Sequence, residues 1–193
     1  MIHNKYYEIL KQFLGDYKRE IYGRGLIGSV SLSQKGIALA LEELEEQSIL
    51  KSRKQGTLKY CRLNLELAEI KDILAQAELA RKLEFLAKHR VLAHLFKADD
   101  RIIGIFGSYA KSREKKDSDI DIFIIGKKKA NDYAYQGKLL DLNASAKYFT
   151  HAEWKKLIKE KNNLVAEIIN HHILIFGIEQ FIDILWKEYY GIG

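Results

Sequence analysis

Two aspartates at alternate positions, Asp119 and Asp121, open the apolar run "DIDIFIIG". Side chains alternate along a strand, so a strand here puts both carboxylates on one face and Ile120 and Ile122 on the other. Aspartate is disfavoured in strands and is seldom buried without a partner. Two like charges on one face also repel, so the pair calls for a cation or an exposed edge. A divalent cation completed by water and phosphate oxygens relieves both difficulties. The competing reading is an exposed strand start with solvated acids, which is how Asp117 and Ser118 read.

Just upstream, "RIIGIFG" is strand-like and ends at Gly107, and "SYAKSRE" starts a helix directly after it. Gly107 permits close approach of backbone to a ligand, Ser108 adds a hydroxyl, and the helix start offers free N–H groups to an anion. Lys111 and Arg113 bring positive charge to the same place. A glycine after a strand is by itself usually only a turn. Next to a carboxylate pair it reads as a phosphate cradle.

The whole stretch "GSYAKSREKKDSDIDIFIIG" resembles the signature of the minimal nucleotidyltransferases of the DNA polymerase β-like superfamily. That pattern is Gly-Ser, a spacer of about this length, then Asp-x-Asp entering a hydrophobic strand, and the resemblance covers the chain from about Arg101 onward. It implies that the Gly107–Ser108 turn, with Lys111 and Arg113, holds the phosphates of a nucleoside triphosphate. Asp119 and Asp121 would coordinate Mg²⁺ or Mn²⁺, an acceptor hydroxyl would attack the α-phosphorus in line, and pyrophosphate would leave. The superfamily adds a third carboxylate on a later strand. The candidate strand is "KLLDLNASAKYF", after the loop "KKKANDYAYQG", and its one acid is Asp141. The expected catalytic and metal-binding set is therefore Asp119, Asp121 and Asp141. Asn143 and Ser145 share Asp141's face, and either could hold the family's position, leaving nucleotide binding without catalysis.

These residues need elements to hold them. Downstream, Thr150 with Glu153 three positions on is a capping-box pattern, with Trp154, Leu157 and Ile158 facing inward. His171 and His172 are adjacent, so they cannot both face one metal from a regular helix. They read as helix-end or structural residues. Phe181, Ile184 and Leu185 suit packing of a last helix, and the tail "WKEYYG" suits a domain or dimer contact.

Before Asp99–Asp100 the grammar is mostly helical. "KYYEILKQFLG" places Tyr6, Ile9, Leu10, Phe13 and Leu14 on one helical face, ended by Gly15. "REIYGRGLIGSV" reads as a short second helix breaking into a glycine turn. Ser33 is a plausible N-cap for a third, whose inward stripe is Ile37, Leu41 and Leu44 with Ala40 beside it. "ILKSRKQGTLKYCRLNL" alternates like a hairpin turning near Gln55–Gly56. The run "LSQKGIALALEELEEQSILKS" resembles the recognition-helix region of archaeal and bacterial winged-helix regulators. That resemblance implies duplex DNA contact through Ser33, Gln34 and Lys35, with Ser31 beside them, and through hairpin cations Lys51, Arg53, Lys54 and Lys59, joined by Arg62. Against it, "EELEE" makes the far end of the helix acidic, and winged helices also dock proteins. Residues 65–97 read as one long helix or two with a bend, whose apolar stripe would pair with a second subunit or pack on its own domains.

The fold class expected is α+β, in three parts: a winged helix-turn-helix domain over 1–65, a helical linker over 66–98, and a mixed-sheet nucleotidyltransferase domain over 99–193. With 47% hydrophobic residues in a 193-residue chain, a sizeable core is expected. No apolar run approaches the ~18–20 residues of a membrane span. The charged, amphipathic N-terminus is unlike a signal peptide, so a cytoplasmic location is expected. The single cysteine, Cys61, allows neither an internal disulfide nor a cysteine-based zinc site. A net charge of +6 favours polyanionic partners. Three functions follow: metal-dependent nucleotidyl transfer to an acceptor hydroxyl, a DNA-binding regulator with a nucleotide-sensing or inactive nucleotidyltransferase domain, or an antitoxin-like protein that occludes a partner.

Overall fold

The computed structural model describes residues 5–115, 117–129 and 133–192. They fall into two compact units, Met1–Ala77 and Glu78–Gly193. Among the described residues no helix is long and apolar enough to cross a membrane.

In the first unit, α1 (Lys5–Leu10) runs on into a 3-10 turn at Lys11–Phe13. Ile9, Leu10, Phe13 and Leu14 are buried, and Gly15 takes φ +96° where the chain turns away. The short second helix expected over "REIYGRGLIGSV" is instead the two-residue strand β1 (Ile21–Tyr22) followed by a 3-10 turn at Gly23–Leu26. Three glycines, Gly23, Gly25 and Gly28, weaken a helix there, and β1 gains ladder partners, Ile21 with Cys61 and Tyr22 with Tyr60. Helix α2 (Gln34–Glu46) is capped by Ser33, whose Oγ accepts from Gly36 N at 3.1 Å. It buries Ile37, Ala40, Leu41 and Leu44. The hairpin β2 (Leu50–Gln55) and β3 (Leu58–Leu63) turns at Gly56, φ +60°. The three strands form an antiparallel sheet in the order β1-β3-β2.

Helix α3 (Ile70–Lys88) continues from one unit into the other, and the chain breaks at His89 before α4 (Arg90–Ala93). In the second unit follow β4 (Ile102–Phe106), α5 (Gly107–Ala110), β5 (Ile120–Ile125), α6 (Tyr133–Leu139) and β6 (Ala144–Phe149). Then come α7 (His151–Lys159), α8 (Asn163–Asn170), β7 (Ile173–Phe176) and α9 (Ile178–Ile184), closing in a π turn at Leu185–Tyr189. The sheet order is β6-β5-β4-β7, with β4 antiparallel to β5 and β7, and β5 parallel to β6. The sheet is mixed.

Both faces of this sheet are covered, which is why β4 and most of β5 read as continuous apolar runs. On one face Ile103, Ile105, Ile120, Ile122 and Ile124 pack with Phe85, Leu92, Leu95 and Tyr133. On the other, Phe123 stacks on Trp154 at 6.0 Å and meets Phe181 at 5.8 Å. Trp154 reaches that position because Thr150 and Glu153 form the expected capping box at the start of α7. A buried polar cluster ties α3 to the sheet. Glu78 is fully buried, and its Oε1 lies 3.0 Å from His172 Nε2 while Arg81 reaches its other oxygen at 2.7 Å. His172 Nδ1 lies 2.9 Å from the carbonyls of Ile168 and Ile169, so it is a donor there. His171 caps the end of α8.

The strand expected over "KLLDLNASAKYF" begins only at Ala144. The loop expected before it, over residues 127–137, is helical from Tyr133 onward, in α6, and its residues 130–132 lie outside the described residues. The end of α6 is closed by Leu142 N–H on Gly137 O at 2.9 Å and Asp141 N–H on Lys138 O at 3.3 Å. Asp141 sits between them in the left-handed region, φ 53°. This is the Schellman arrangement, and Asp is one of the few non-glycine residues that tolerate its left-handed position.

Candidate functional site

Strand register builds the site. Phe106, the last residue of β4, pairs with Asp121, so the chain leaves β4 through Gly107 directly beside that carboxylate. Gly107 has φ +70°, and a Cβ there would collide with Asp121 Oδ2. The glycine serves both needs: it adopts the left-handed backbone and lets a carboxylate lie against the turn. On the other side, β6 runs parallel and places Ser145 opposite Asp121. Ser145 Oγ donates to Asp121 Oδ1 at 3.0 Å. The half-buried Asp121 is thus held at Oδ1 with Oδ2 lying against the glycine turn, while Asp119, one residue before β5, is exposed. Ile120 between them is buried in the core, as the alternation requires.

Ser108 is half-buried in the short helix α5. Lys111 is not free toward solvent, because its Nζ pairs with Glu167 Oε1 of α8 at 2.6 Å. Arg113 is exposed, and its backbone N–H bonds Ser108 O at 2.9 Å, curling the loop back on the turn. Glu114 anchors the same loop to the end of α3 through Lys88 at 2.7 Å, with His89 at 3.5 Å. The hydrogen bond from Lys88 holds the Glu114 carboxyl below its ordinary range, and burial pushes the His89 imidazole down.

Asp141 does not join the pair. It occupies the turn that ends α6, exposed and ahead of β6. Asn143 is also exposed before the strand, and its carbonyl accepts from Ile120 N at 2.7 Å. Of the three residues expected to share a face, only Ser145 lies in the ladder. Among the described residues no three His, Cys, Asp or Glu side chains gather into a metal-holding group. The partner acids Glu167 and Glu114 left no trace in the sequence pattern, since each contact depends on distant chain brought near by folding.

In the first unit, Ser33, Gln34 and Lys35 are exposed at the start of α2. The hairpin has no acid of its own, but the fold brings acids to it. Lys51 pairs with Glu66 at 2.5 Å, Arg53 Nε bonds Glu20 at 2.8 Å, and Lys59 pairs with Glu45. Lys54 and Arg62 are exposed and carry no ion pair among the described residues. A cavity of about 480 Å³ separates the end of α2 from the hairpin and is lined by Glu45, Lys51, Arg53, Arg62 and Asn64.

The second unit is therefore a mixed-sheet α+β domain with a glycine turn and a carboxylate pair at adjoining strand ends. Residues 91–181 match the family model described as "Polymerase beta, Nucleotidyltransferase". The match lies wholly inside this unit and takes in Gly107, Ser108, Asp119, Asp121 and Ser145, which supports the nucleotidyltransferase superfamily for this part of the chain. No curated protein and no solved structure matches the chain.

Proposed function

We propose that the second unit binds a nucleoside triphosphate with Mg²⁺ or Mn²⁺ and transfers its nucleoside monophosphate to an acceptor hydroxyl. The first unit, in this reading, is a winged helix-turn-helix module that contacts duplex DNA. The observation that carries the transferase reading is the Asp121 carboxylate lying against the Gly107 turn. A negative side chain packed beside a turn suited to phosphate is repulsive unless a cation joins them.

Polymerase-β-type nucleotidyltransferases generally use divalent metals. The donor set fits such an ion: Asp119 and Asp121 would hold it with hard carboxylate oxygens, phosphates and water completing the shell. When bound, the ion neutralises phosphate charge and aligns the α-phosphorus with the acceptor. The chain's own residues do the rest by position. Gly107 admits a phosphate close to backbone, and the Ser108 hydroxyl donates to one of its oxygens. Arg113 faces solvent at the mouth of the turn and adds charge to the departing pyrophosphate. Lys111, held by Glu167, fixes the turn against α8. The DNA-binding reading of the first unit is supported by the order of its elements: helix, short strand, helical turn, capped helix, hairpin.

Incubation with labelled nucleoside triphosphates and Mg²⁺ or Mn²⁺, with cell lysate as acceptor source, tests the activity. Label should appear on one acceptor and be lost in Asp119→Ala. Undiminished labelling by that variant would overturn the site. A second reading is favoured by the neutral Ser145 beside Asp121: a DNA-binding regulator whose nucleotidyltransferase unit senses nucleotide. It predicts nucleotide binding without incorporation and salt-dependent duplex binding.

A further inference from the structure

We infer that the carboxylate site takes a single divalent cation per chain, and that Ser145 is the residue that sets this number. The inference rests on the nucleotide–metal reading above and deepens it. Two dications side by side repel strongly and need carboxylates that flank or bridge them. In Asp121, Oδ1 accepts the hydrogen bond of Ser145 at 3.0 Å, while Oδ2 lies in the space that a Cβ at Gly107 would fill.

A carboxylate only accepts, so the hydroxyl must be the donor in this pair. That hydrogen bond fixes the orientation of the Asp121 carboxyl, and among the described residues no third acid gathers with Asp119 and Asp121 to hold a second cation. Ser145 also contributes no charge. It occupies the place directly across the parallel ladder from Asp121, the nearest point on β6 from which a further acid could reach the pair. Asp141, the acid closest in sequence on that side, is spent in the turn after α6. Ser145 thus acts as a positioning residue for Asp121, aiming Oδ2 at the turn where the nucleotide's phosphates would lie.

The test is a count of bound Mn²⁺ on the full chain, by electron paramagnetic resonance. The probes are the non-hydrolysable α,β-methylene analogues of the four ribonucleoside triphosphates, tried in turn. The wild-type chain should hold one Mn²⁺ in the presence of nucleotide. Two would overturn the inference while leaving the nucleotide–metal reading intact. None, with any nucleotide, would remove that reading itself. Ser145→Ala should weaken Mn²⁺ about tenfold, in the range typical of lost outer-shell partners. Unchanged affinity would show that the hydroxyl does not position Asp121. Ser145→Asp should raise the count to two, and a variant that still holds one would mean that residue 145 does not set the number. The wild-type count needs no variant to fold.

Discussion

At Gly107 a backbone requirement and a contact requirement coincide. Its φ of +70° is costly for any side chain, and Asp121 occupies the space a Cβ would need. Gly107→Ala should therefore lower stability by about 1–2 kcal/mol and displace Asp121 as well. Urea unfolding reads the first effect and Mn²⁺ titration the second. An intact titration would separate the turn from the metal site. Asp99 sits at the opposite end of β4 and carries a pH signature. It accepts from Arg101 Nη2 at 2.7 Å and Nε at 2.9 Å, and from Tyr133 Oη at 3.2 Å. The Arg101 guanidinium holds its carboxyl well below the usual carboxylate range, against the opposing effect of burial. A depressed folded-state value contributes stability that is complete above the unfolded value, about pH 4, and is lost as pH falls through the folded one. Asp99→Asn leaves the buried Arg101 unpaired, so it should cost about 3 kcal/mol at pH 7. The gap between variant and parent should narrow below pH 4. A gap independent of pH would mean that the charge of Asp99 is not what stabilises.

Elements with local signals were legible in the sequence. The Ser33 cap, the stripe of α2, the Gly56 hairpin and the Thr150–Glu153 box each depend on residues within a few positions, and all are present. So are β4 and β5, whose apolar runs reflect burial on both faces. The failures share a cause. Strand β1 is two residues long and exists because β3, forty residues later, offers it a ladder. Around Asp141 the period-two pattern of "LDLNASA" begins in the turn just after α6, and the alternation of Leu140, Asp141 and Leu142 belongs to the helix closure. The available clue was that Asp, like Asn, tolerates the left-handed region. This makes two predictions. Asp141→Gly should be neutral or stabilising by up to about 1 kcal/mol in chemical denaturation, and should leave Mn²⁺ binding unchanged. Loss of Mn²⁺ in that variant would restore Asp141 to the site. Thr150→Ala should cost about 1 kcal/mol through the lost cap of α7, the helix that delivers Trp154 to Phe123.

At the scale of the whole molecule, the +6 net charge says less about nucleic acid than the way its cations are partnered. Sequence alone offers five hairpin cations, and the fold neutralises three of them: Lys51 by Glu66, Arg53 by Glu20 and Lys59 by Glu45. If the first unit contacts duplex DNA as proposed, those three must first give up carboxylates. Lys54, Arg62 and Lys35 have no such cost. Each phosphate neutralised contributes a slope of about −0.9 to the logarithm of affinity against the logarithm of salt. Six contacts, the five hairpin cations with Lys35, would give about −5.4, and three about −2.7. The smaller slope is expected for the wild-type chain, measured by fluorescence anisotropy of a labelled duplex across a potassium chloride series. Replacing Lys54 and Arg62 with glutamine should bring it near −1, while Lys51→Gln should hardly move it. A wild-type slope of about −5.4 would show that the carboxylates are released on binding, which makes Glu20, Glu45 and Glu66 part of the recognition energy. A chain that binds no duplex even at low salt would leave the hairpin's ion pairs as the purpose of its charge, because each lysine or arginine held there already has the partner that stabilises it.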